Sequence, residues 1–507
     1  MDYFTLFLRK NSLLLWKERF ATKANREFGL NKYNKTEVRG LPTVDELRAS
    51  LVSTEGSDAR TQLAMLFDEA TFVETNAYTK RALSDFITTE KANELEGVIT
   101  GYGAIDGKLV FAFAEDTSRM GGVIDERHAK KIADLYCLAI KSGAPVIGIF
   151  NSNGTDIFCG TAGLAAYGRI MNAVTKASGA IPQVAFIAGK CIGLAAAIAA
   201  MFDIVVKDSS ASFYVSSPAL AGVENAQDAI LAYTGDTAQC AGYIRSLVSY
   251  LPSSSANGIV VGPCADNLNR KLGDLDFAGD ALSAISVIAD NGVFYEIAHD
   301  FAPASSTVVT TIGGVRCGVV ATSYSVNDGR LSVADARKIA KFVNFCNAFS
   351  IPVITLVDSV GLSISKENEA SYFASELAKL AFAYATASVP KVTVILGHAI
   401  GASFVLLGSK ALGADLVYAT DDSEIGALVA ESGVAFAWND YITLEKTRDD
   451  LVNEWKATVS SPAVAAATGE IDDIINVNEL RARICSALLM LADKGKVQMS
   501  DRKILPL

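Results

Sequence analysis

Five landmarks recur along this 507-residue chain at one spacing, and that recurrence restricts its architecture more than any single motif. Ile105-Asp-Gly-Lys-Leu-Val-Phe-Ala-Phe113 returns as Ile312-Gly-Gly-Val-Arg-Cys-Gly-Val-Val320, and His128-Ala-Lys-Lys-Ile132 as Asp335-Ala-Arg-Lys-Ile339. Ala144-Pro-Val-Ile-Gly-Ile-Phe-Asn151 returns as Ile351-Pro-Val-Ile-Thr-Leu-Val-Asp358. Ile181-Pro-Gln-Val-Ala-Phe-Ile187 leads to Gly193 as Val389-Pro-Lys-Val-Thr-Val-Ile395 leads to Gly401. The offset is 207 residues for Gly107/Gly314, His128/Asp335 and Pro145/Pro352, and 208 for Pro182/Pro390 and Gly193/Gly401. A period this long exceeds a solenoid repeat and implies two complete, similar domains.

Length alone favours more than one hydrophobic core. Half the residues are apolar and a fifth charged, which suits a folded chain. The net charge of −11 argues against a nucleic-acid surface. Apolar runs such as Leu194–Met201 are short and contain small residues, so they read as core rather than membrane spans. Met1–Lys23 fits an amphipathic helix better than a signal peptide, and the expected location is cytoplasmic. The eight cysteines stand singly, without a CxxC pair, which disfavours a zinc site or a disulfide framework. His128, His299 and His398 lie far apart, which disfavours a histidine metal site or a Ser-His-Asp triad. His128 starts a helical pattern, where a cap or a surface contact is its expected role.

Residues 1–95 read as a helical leader and platform, with a turn at Gly40-Leu-Pro-Thr43 and a charged run at Glu90–Glu96. From residue 96 to 280, Val98–Tyr102 and Leu109–Phe113 form a hairpin about Asp106-Gly107. Helices over 125–141 and 162–178 then alternate with buried strands at 146–150, 184–188 and 203–206. Residues 219–279 are less regular and join the halves. The region 281–507 repeats the order with a hairpin at 308–326, helices at 333–349 and 369–387, and strands at 353–357, 392–396 and 415–418. Its tail after Ile442 is helical and charged. Strands alternating with helices imply an α/β fold with parallel strands covered by helices.

In Gly189-Lys-Cys-Ile-Gly-Leu-Ala-Ala-Ala197 and Gly397-His-Ala-Ile-Gly-Ala-Ser-Phe404, small residues follow a buried strand and lead directly into a helix. The first helical N–H groups there lack intrahelical partners, and the helix dipole favours negative charge. A ligand carbonyl could approach closely, giving a backbone oxyanion hole. Close helix–strand packing would need the same small residues.

Together the residues resemble the carboxyltransferase subunits of biotin-dependent acyl-CoA carboxylases and decarboxylases, over about residues 60–440. Matching stretches include Leu66-Phe-Asp-Glu-Ala-Thr-Phe-Val-Glu74, Gly97-Val-Ile-Thr-Gly-Tyr-Gly103 and Gly143-Ala-Pro-Val-Ile-Gly148. Others are Phe342-Val-Asn-Phe-Cys-Asn-Ala-Phe349 and Gly408-Ser-Lys-Ala-Leu-Gly-Ala-Asp415. The resemblance implies tandem crotonase-like (ClpP/crotonase) domains built from ββα units. It implies biotin on a partner carrier protein, a coenzyme A thioester substrate, and no side-chain nucleophile. Backbone amides of Gly193 and Leu194 at one junction, and of Gly401 and Ala402 at the other, would hold an enolate and the ureido oxygen of biotin. The substrate-binding set expected around them is Gly121, Gly122, Asn153, Gly154, Cys191, Ile192, Gly361 and Ile400.

Implied partners are a biotin carboxyl carrier protein, either a biotin carboxylase or a sodium-pumping membrane decarboxylase subunit, and a second copy or paralogue in a dimer-based oligomer, up to a hexamer. No Ala-Met-Lys-Met biotinylation site occurs in the chain. Three stretches depart from the family. Leu194 replaces the second glycine of a Gly-Gly pair, Asn151-Ser-Asn-Gly-Thr-Asp156 replaces Asp-Ser-Gly-Gly-Ala-Arg, and Asp358-Ser-Val-Gly-Leu362 replaces Asp-Val-Pro-Gly-Phe. These departures leave open altered substrate choice or a non-catalytic assembly subunit. A crotonase-type hydratase or isomerase would need a carboxylate beside the hole, for which Glu424 and Asp156 are the candidates.

Overall fold

The computed structural model describes residues 43–52, 57–81, 94–222, 230–271 and 279–495. The expected helix at Met1–Lys23 lies outside them. The chain divides into two compact units, Met1–Ser53 and Thr54–Leu507. In the first, helix Val44–Val52 is preceded by a reciprocal Thr43/Glu46 capping pair.

The second unit holds two principal sheets. Strands β1 (Val73–Thr75), β2 (Val98–Ile105), β3 (Lys108–Glu115), β4 (Val146–Phe150), β5 (Gln183–Ile187), β6 (Lys190–Ile192), β7 (Ile204–Asp208), β8 (Ser212–Tyr214) and β9 (Tyr233–Gly235) belong to the first half. Strands β10 (Phe294–Glu296), β11 (Ser305–Ile312), β12 (Val315–Thr322), β13 (Val353–Ser359), β14 (Lys391–Ile400), β15 (Leu416–Thr420), β16 (Glu424–Gly426) and β17 (Asp473–Ile475) belong to the second. The orders correspond: β1-β2-β3-β4-β5-β7-β9 and β10-β11-β12-β13-β14-β15-β17. In the first half β6 pairs with β8; in the second, β14 runs on and its last three residues pair with β16.

Local chemistry explains the match. Both hairpins turn on two residues of positive φ, Asp106-Gly107 (48° and 75°) and Gly313-Gly314 (60° and 78°), as a right-twisted two-residue loop requires. From β3 to β7 and from β12 to β15 neighbouring strands pair in parallel, and β4, β5 and β7 are buried at every residue. Helices Glu126–Ser142 and Val333–Ala348 start at Asp125 and at a Ser332/Asp335 capping box, and Gly143 ends the former at φ 60°. The expected helix at 369–387 is broken, because Tyr372 takes φ 62° between Lys366–Ala370 and Phe373–Thr386.

Helix Asp58–Leu66 packs into the core to which both halves contribute, and β1 is the edge strand of the first sheet. Two expectations are corrected. The connecting region contains β9 and helix Thr237–Tyr250, whose capping box is Asp236/Gln239. His128 is neither cap nor surface contact. It is fully buried, and Asp125 caps its helix by accepting from the Arg127 and His128 N–H groups at 2.7 and 2.9 Å.

Each sheet has a private core and both contribute to a shared one. Helices Glu126–Ser142 and Thr161–Ala177 close one face of the first sheet, and Ala281–Ile288 and Leu480–Met490 close one face of the second. The shared core joins the other faces through Thr237–Tyr250, Val333–Ala348 and Phe373–Thr386. Lys108 of the first hairpin donates to the carbonyls of Val248 and Leu251, and Arg316 of the second donates to Leu251 O at 3.1 Å. One helix end is thus gripped from both repeats, where exposed carbonyls favour cations.

Candidate functional site

Gly193 and Gly401 adopt nearly the same backbone, φ 64°, ψ −127° and φ 58°, ψ −127°. Only glycine tolerates this region comfortably. The conformation turns a strand into a helix within one residue. The Gly193 N–H donates to Tyr214 O at 3.0 Å and the Gly401 N–H to Gly426 O at 2.8 Å, which closes the β6/β8 and β14/β16 pairs. The expectation that these two amides serve a ligand is therefore corrected: they are held by the sheet. Among the described residues, the Leu194 and Ala402 N–H groups have no acceptor, because each opens a helix.

The end of the preceding strand, β4 or β13, supports each junction by the same device. The Asn151 side chain accepts from the Lys190 N–H at 3.1 Å, and Asp358 Oδ1 accepts from the His398 N–H at 2.8 Å. A Cβ on Gly189 or Gly397 would lie 2.2 or 2.5 Å from those side-chain oxygens, and a Cβ on Gly122 or Gly329 would lie 2.7 or 2.2 Å from the Asn151 or Asp358 carbonyl. Close approach explains why these positions are glycine. Among the expected substrate-binding residues, the Asn153 N–H donates to Gly121 O at 3.2 Å, and Ser152 Oγ bridges Gly122 O and the Gly154 N–H at 2.7 and 3.0 Å. Gly361 O accepts from the Leu331 N–H at 2.9 Å, and a Cβ on Gly361 would lie 3.6 Å from Ile400 O. Ile192 is half-buried, whereas Ile400 and Cys191 are buried. Burial raises the Cys191 thiol pKa, and its side chain belongs to the core.

The side chains differ between the halves. At the first junction the Lys190 ammonium donates to Asn153 Oδ1 at 3.0 Å. At the second, His398 Nδ1 lies 2.9 Å from Asp358 Oδ1, and its ring stacks on Tyr324 with centroids 4.4 Å apart. Behind the first loop, Glu115 Oε2 accepts from the Asn151 N–H at 2.7 Å; Thr322 Oγ1 does the same for Asp358 at 2.8 Å. Glu115 is buried with His128 and Glu96, whose ring nitrogens and carboxylate complete a cluster with separations of 3.9 and 3.7 Å. Burial raises the Glu115 pKa to about 7, against the lowering effect of His128. Lys131 and Lys338, at equivalent positions, donate to Val98 O and Ser305 O, and burial lowers both to about 8.

The carboxylates considered for hydratase chemistry are engaged elsewhere. Asp156 pairs with Arg81 at 3.1 Å, while Glu424 accepts from the Ala430 N–H at 3.0 Å and pairs with Lys456 at 3.4 Å. A cavity of about 440 Å³ lined by Phe202, Phe342, Phe345 and Lys341 lies between the halves and includes neither junction.

The family described as carboxyl transferase domain matches residues 54–227 and 229–504. This chain belongs to that family. The methylmalonyl-CoA decarboxylase subunit alpha of Veillonella parvula is 34% identical over 463 residues, covering 86% of this chain and 90% of the relative. The propionyl-CoA carboxylase beta chain of Roseobacter denitrificans is 32% identical over 471 residues, covering 88% and 92%. Among solved structures, transcarboxylase 12S with methylmalonyl-coenzyme A and methylmalonic acid bound superposes with a TM-score of 0.79 at 28% identity, covering 90% of this chain and 94% of that one. The carboxyltransferase resemblance and the tandem crotonase-like fold expected from the sequence are thereby borne out. Sequence reasoning passed over His398, which stands beside the second junction. The repeat held the signal, since His398 stands 208 residues after Lys190 and Asp358 stands 207 after Asn151.

Proposed function

We propose that this carboxyl transferase moves a carboxyl group between biotin on a carrier protein and an acyl-CoA, in either direction, with Leu194 and Ala402 supplying the junction amides. Biotin supplies or accepts the carboxyl group when bound. The observation carrying the reading is the pair of junctions: one glycine geometry, used twice, opens an uncapped helix in each half and leaves its first amides, Leu194 and Ala402 foremost, without acceptors among the described residues. An amide fixed by the fold stabilises an oxygen that gains charge without reorganising. The two junctions suit the two oxygens of the reaction, a thioester oxygen and a urea oxygen. Neither task needs a nucleophile.

The finer partners follow the same reading: a biotin carboxyl carrier protein, with a biotin carboxylase for carboxylation or a membrane subunit for decarboxylation. A second copy or paralogue is supported by large apolar side chains exposed beyond both junctions, Ile157 (77%) and its repeat equivalent Ile364 (92%) among them. Among the described residues no helix is long and apolar enough to cross a membrane, and a cytoplasmic location remains part of the proposal. One observation favours a second reading, a non-catalytic assembly subunit: the Leu194 side chain, 48% exposed, stands at the first junction where the family has glycine. Carboxyl transfer between methylmalonyl-CoA or malonyl-CoA and free biotin decides between them. Transfer by the purified chain is the expected result, and none at saturating substrates, with the fold intact, leaves the assembly role.

A further inference from the structure

We propose that the cavity between the halves binds an aromatic α-amino acid, whose carboxylate meets Lys341 and whose ammonium meets Asp203. The cavity measures about 440 Å³, within the range of sites for small ligands. Five phenylalanines line it, Phe202 from the first half and Phe301, Phe342, Phe345 and Phe349 from the second. Phe345 packs edge-on against Phe349 with centroids 5.2 Å apart, so part of the wall is an aromatic surface already in place. Such walls favour an aromatic body. Phe342 and Phe349 are buried while Lys341 and Asn344 stay exposed, so the cavity opens to water beside the ammonium.

Two charges in this apolar setting lack partners. Asp203 follows helix Leu194–Ala200, and its Oδ2 accepts from the Gln183 N–H at 2.8 Å. Its Oδ1 has no donor among the described residues. Lys341, on helix Val333–Ala348, has neither a hydrogen bond nor an ion pair among them. The two charges attract each other without forming an ion pair. Burial raises the Asp203 pKa to about 6, against the lowering effects of the Gln183 N–H and Lys341. Water reaches Lys341 but protein surrounds it, and that loss of solvent lowers its pKa, against the raising effect of Asp203. Both charges are held poorly solvated and unpaired, which costs free energy until a ligand bridges them.

The other polar groups of the wall are already matched. Arg337 pairs with Glu376 at 3.2 Å, and the Lys338 ammonium donates to Ser305 O at 2.6 Å. Thr307 Oγ1 donates to Ile297 O at 2.8 Å. One unpaired cation and one unpaired carboxylate oxygen, set among phenylalanines, call for a ligand with both opposite charges and an aromatic body. An aromatic α-amino acid carries all three on one carbon. A simple carboxylate would answer Lys341 and leave Asp203 facing it, and an amine would do the reverse. Residues 200–203 of the wall form the far end of the helix that opens at Gly193. An occupant would therefore brace the first junction's helix from behind.

Isothermal titration calorimetry of the full chain with L-phenylalanine, hydrocinnamate and phenethylamine tests this, because the three share a body and differ in charge. L-phenylalanine is expected to bind at one site. Each analogue should bind at least about tenfold more weakly, as the loss of one charge-assisted hydrogen bond implies. K341M and D203N should each weaken L-phenylalanine by a similar factor. Lys341 bonds nothing in the fold and D203N keeps an acceptor for the Gln183 N–H, so both variants should melt as the native chain does. Hydrocinnamate binding as tightly as L-phenylalanine overturns the proposal in favour of a plain anion site. Phenethylamine binding as tightly overturns it in favour of a plain cation site. No saturable binding of L-phenylalanine at millimolar concentration, or binding unchanged in folded K341M and D203N, overturns it outright.

Discussion

The two halves share a backbone and differ in the charges they attach to it. At both junctions a glycine near φ 60° turns the chain, an Asx side chain braces the residue three before it, and a second buried group holds the Asx amide. In the first half the set is Asn151, Lys190 and Glu115; in the second it is Asp358, His398 and Thr322. Geometry that the chain cannot alter without strain has been kept twice, and chemistry that side chains can change freely has diverged. The difference teaches that the fold fixes the backbone of each junction, while the flanking residues give each junction its own charge.

The comparison breaks most readily at the glycines beneath the Asx loops. A Cβ at Gly329 would lie 2.2 Å from Asp358 O, and one at Gly122 would lie 2.7 Å from Asn151 O, both at positive φ. Strain and overpacking together predict a loss on the order of 3–5 kcal/mol for G329A and less for G122A. Denaturant melts would check the order, and equal losses would show that the second loop is no tighter.

A middle-sized effect separates Glu115 from Thr322. The folded carboxyl has its pKa raised from 4.5 to about 7 by burial, so the folded state binds its proton more tightly than the unfolded one. Its contribution to stability should be largest below about pH 4.5, fall as pH rises to about 7, and stay low above that. E115Q keeps an acceptor for the Asn151 amide and should flatten this fall, whereas T322S should leave it intact. A pH series of unfolding midpoints that is the same in E115Q and the native chain would remove Glu115 as the cause.

The smallest effect on stability belongs to Leu194. L194G at a half-exposed helix start should cost about 1 kcal/mol or less while raising turnover of acyl-CoA substrates bulkier than propionyl, because the side chain narrows the first junction. Unchanged steady-state rates across an acyl-length series would show that Leu194 is no barrier.

Much of this was legible in the sequence because duplicated spacing reports strand order twice. Pro145/Pro352 and Pro182/Pro390 marked the entrances to parallel strands, and Asp106-Gly107 marked a hairpin. Three kinds of information escaped. The break at Tyr372 is a left-handed residue inside a helical pattern, which periodicity does not register. β17 lies beyond the repeat's landmarks and pairs with β15 across a separation of 55 residues, as at Tyr418↔Asp473. The Asp358–His398 contact spans 40 residues and joins the ends of the neighbouring strands β13 and β14, so only comparing the repeats residue by residue reveals it. The amides of Gly193 and Gly401 misled for a related reason. Short strands β8 and β16 carry weak sequence signals, and they are what accept those hydrogens.

Lys108 and Arg316 reach the same helix end from opposite repeats. The copies are consequently no longer interchangeable modules. Loss of either one, or fission of the gene between them, would strand a cation and uncover an oily face that its twin now shields. Descendants of such a duplication can diversify at the rims of the two clefts, but they cannot shed a copy.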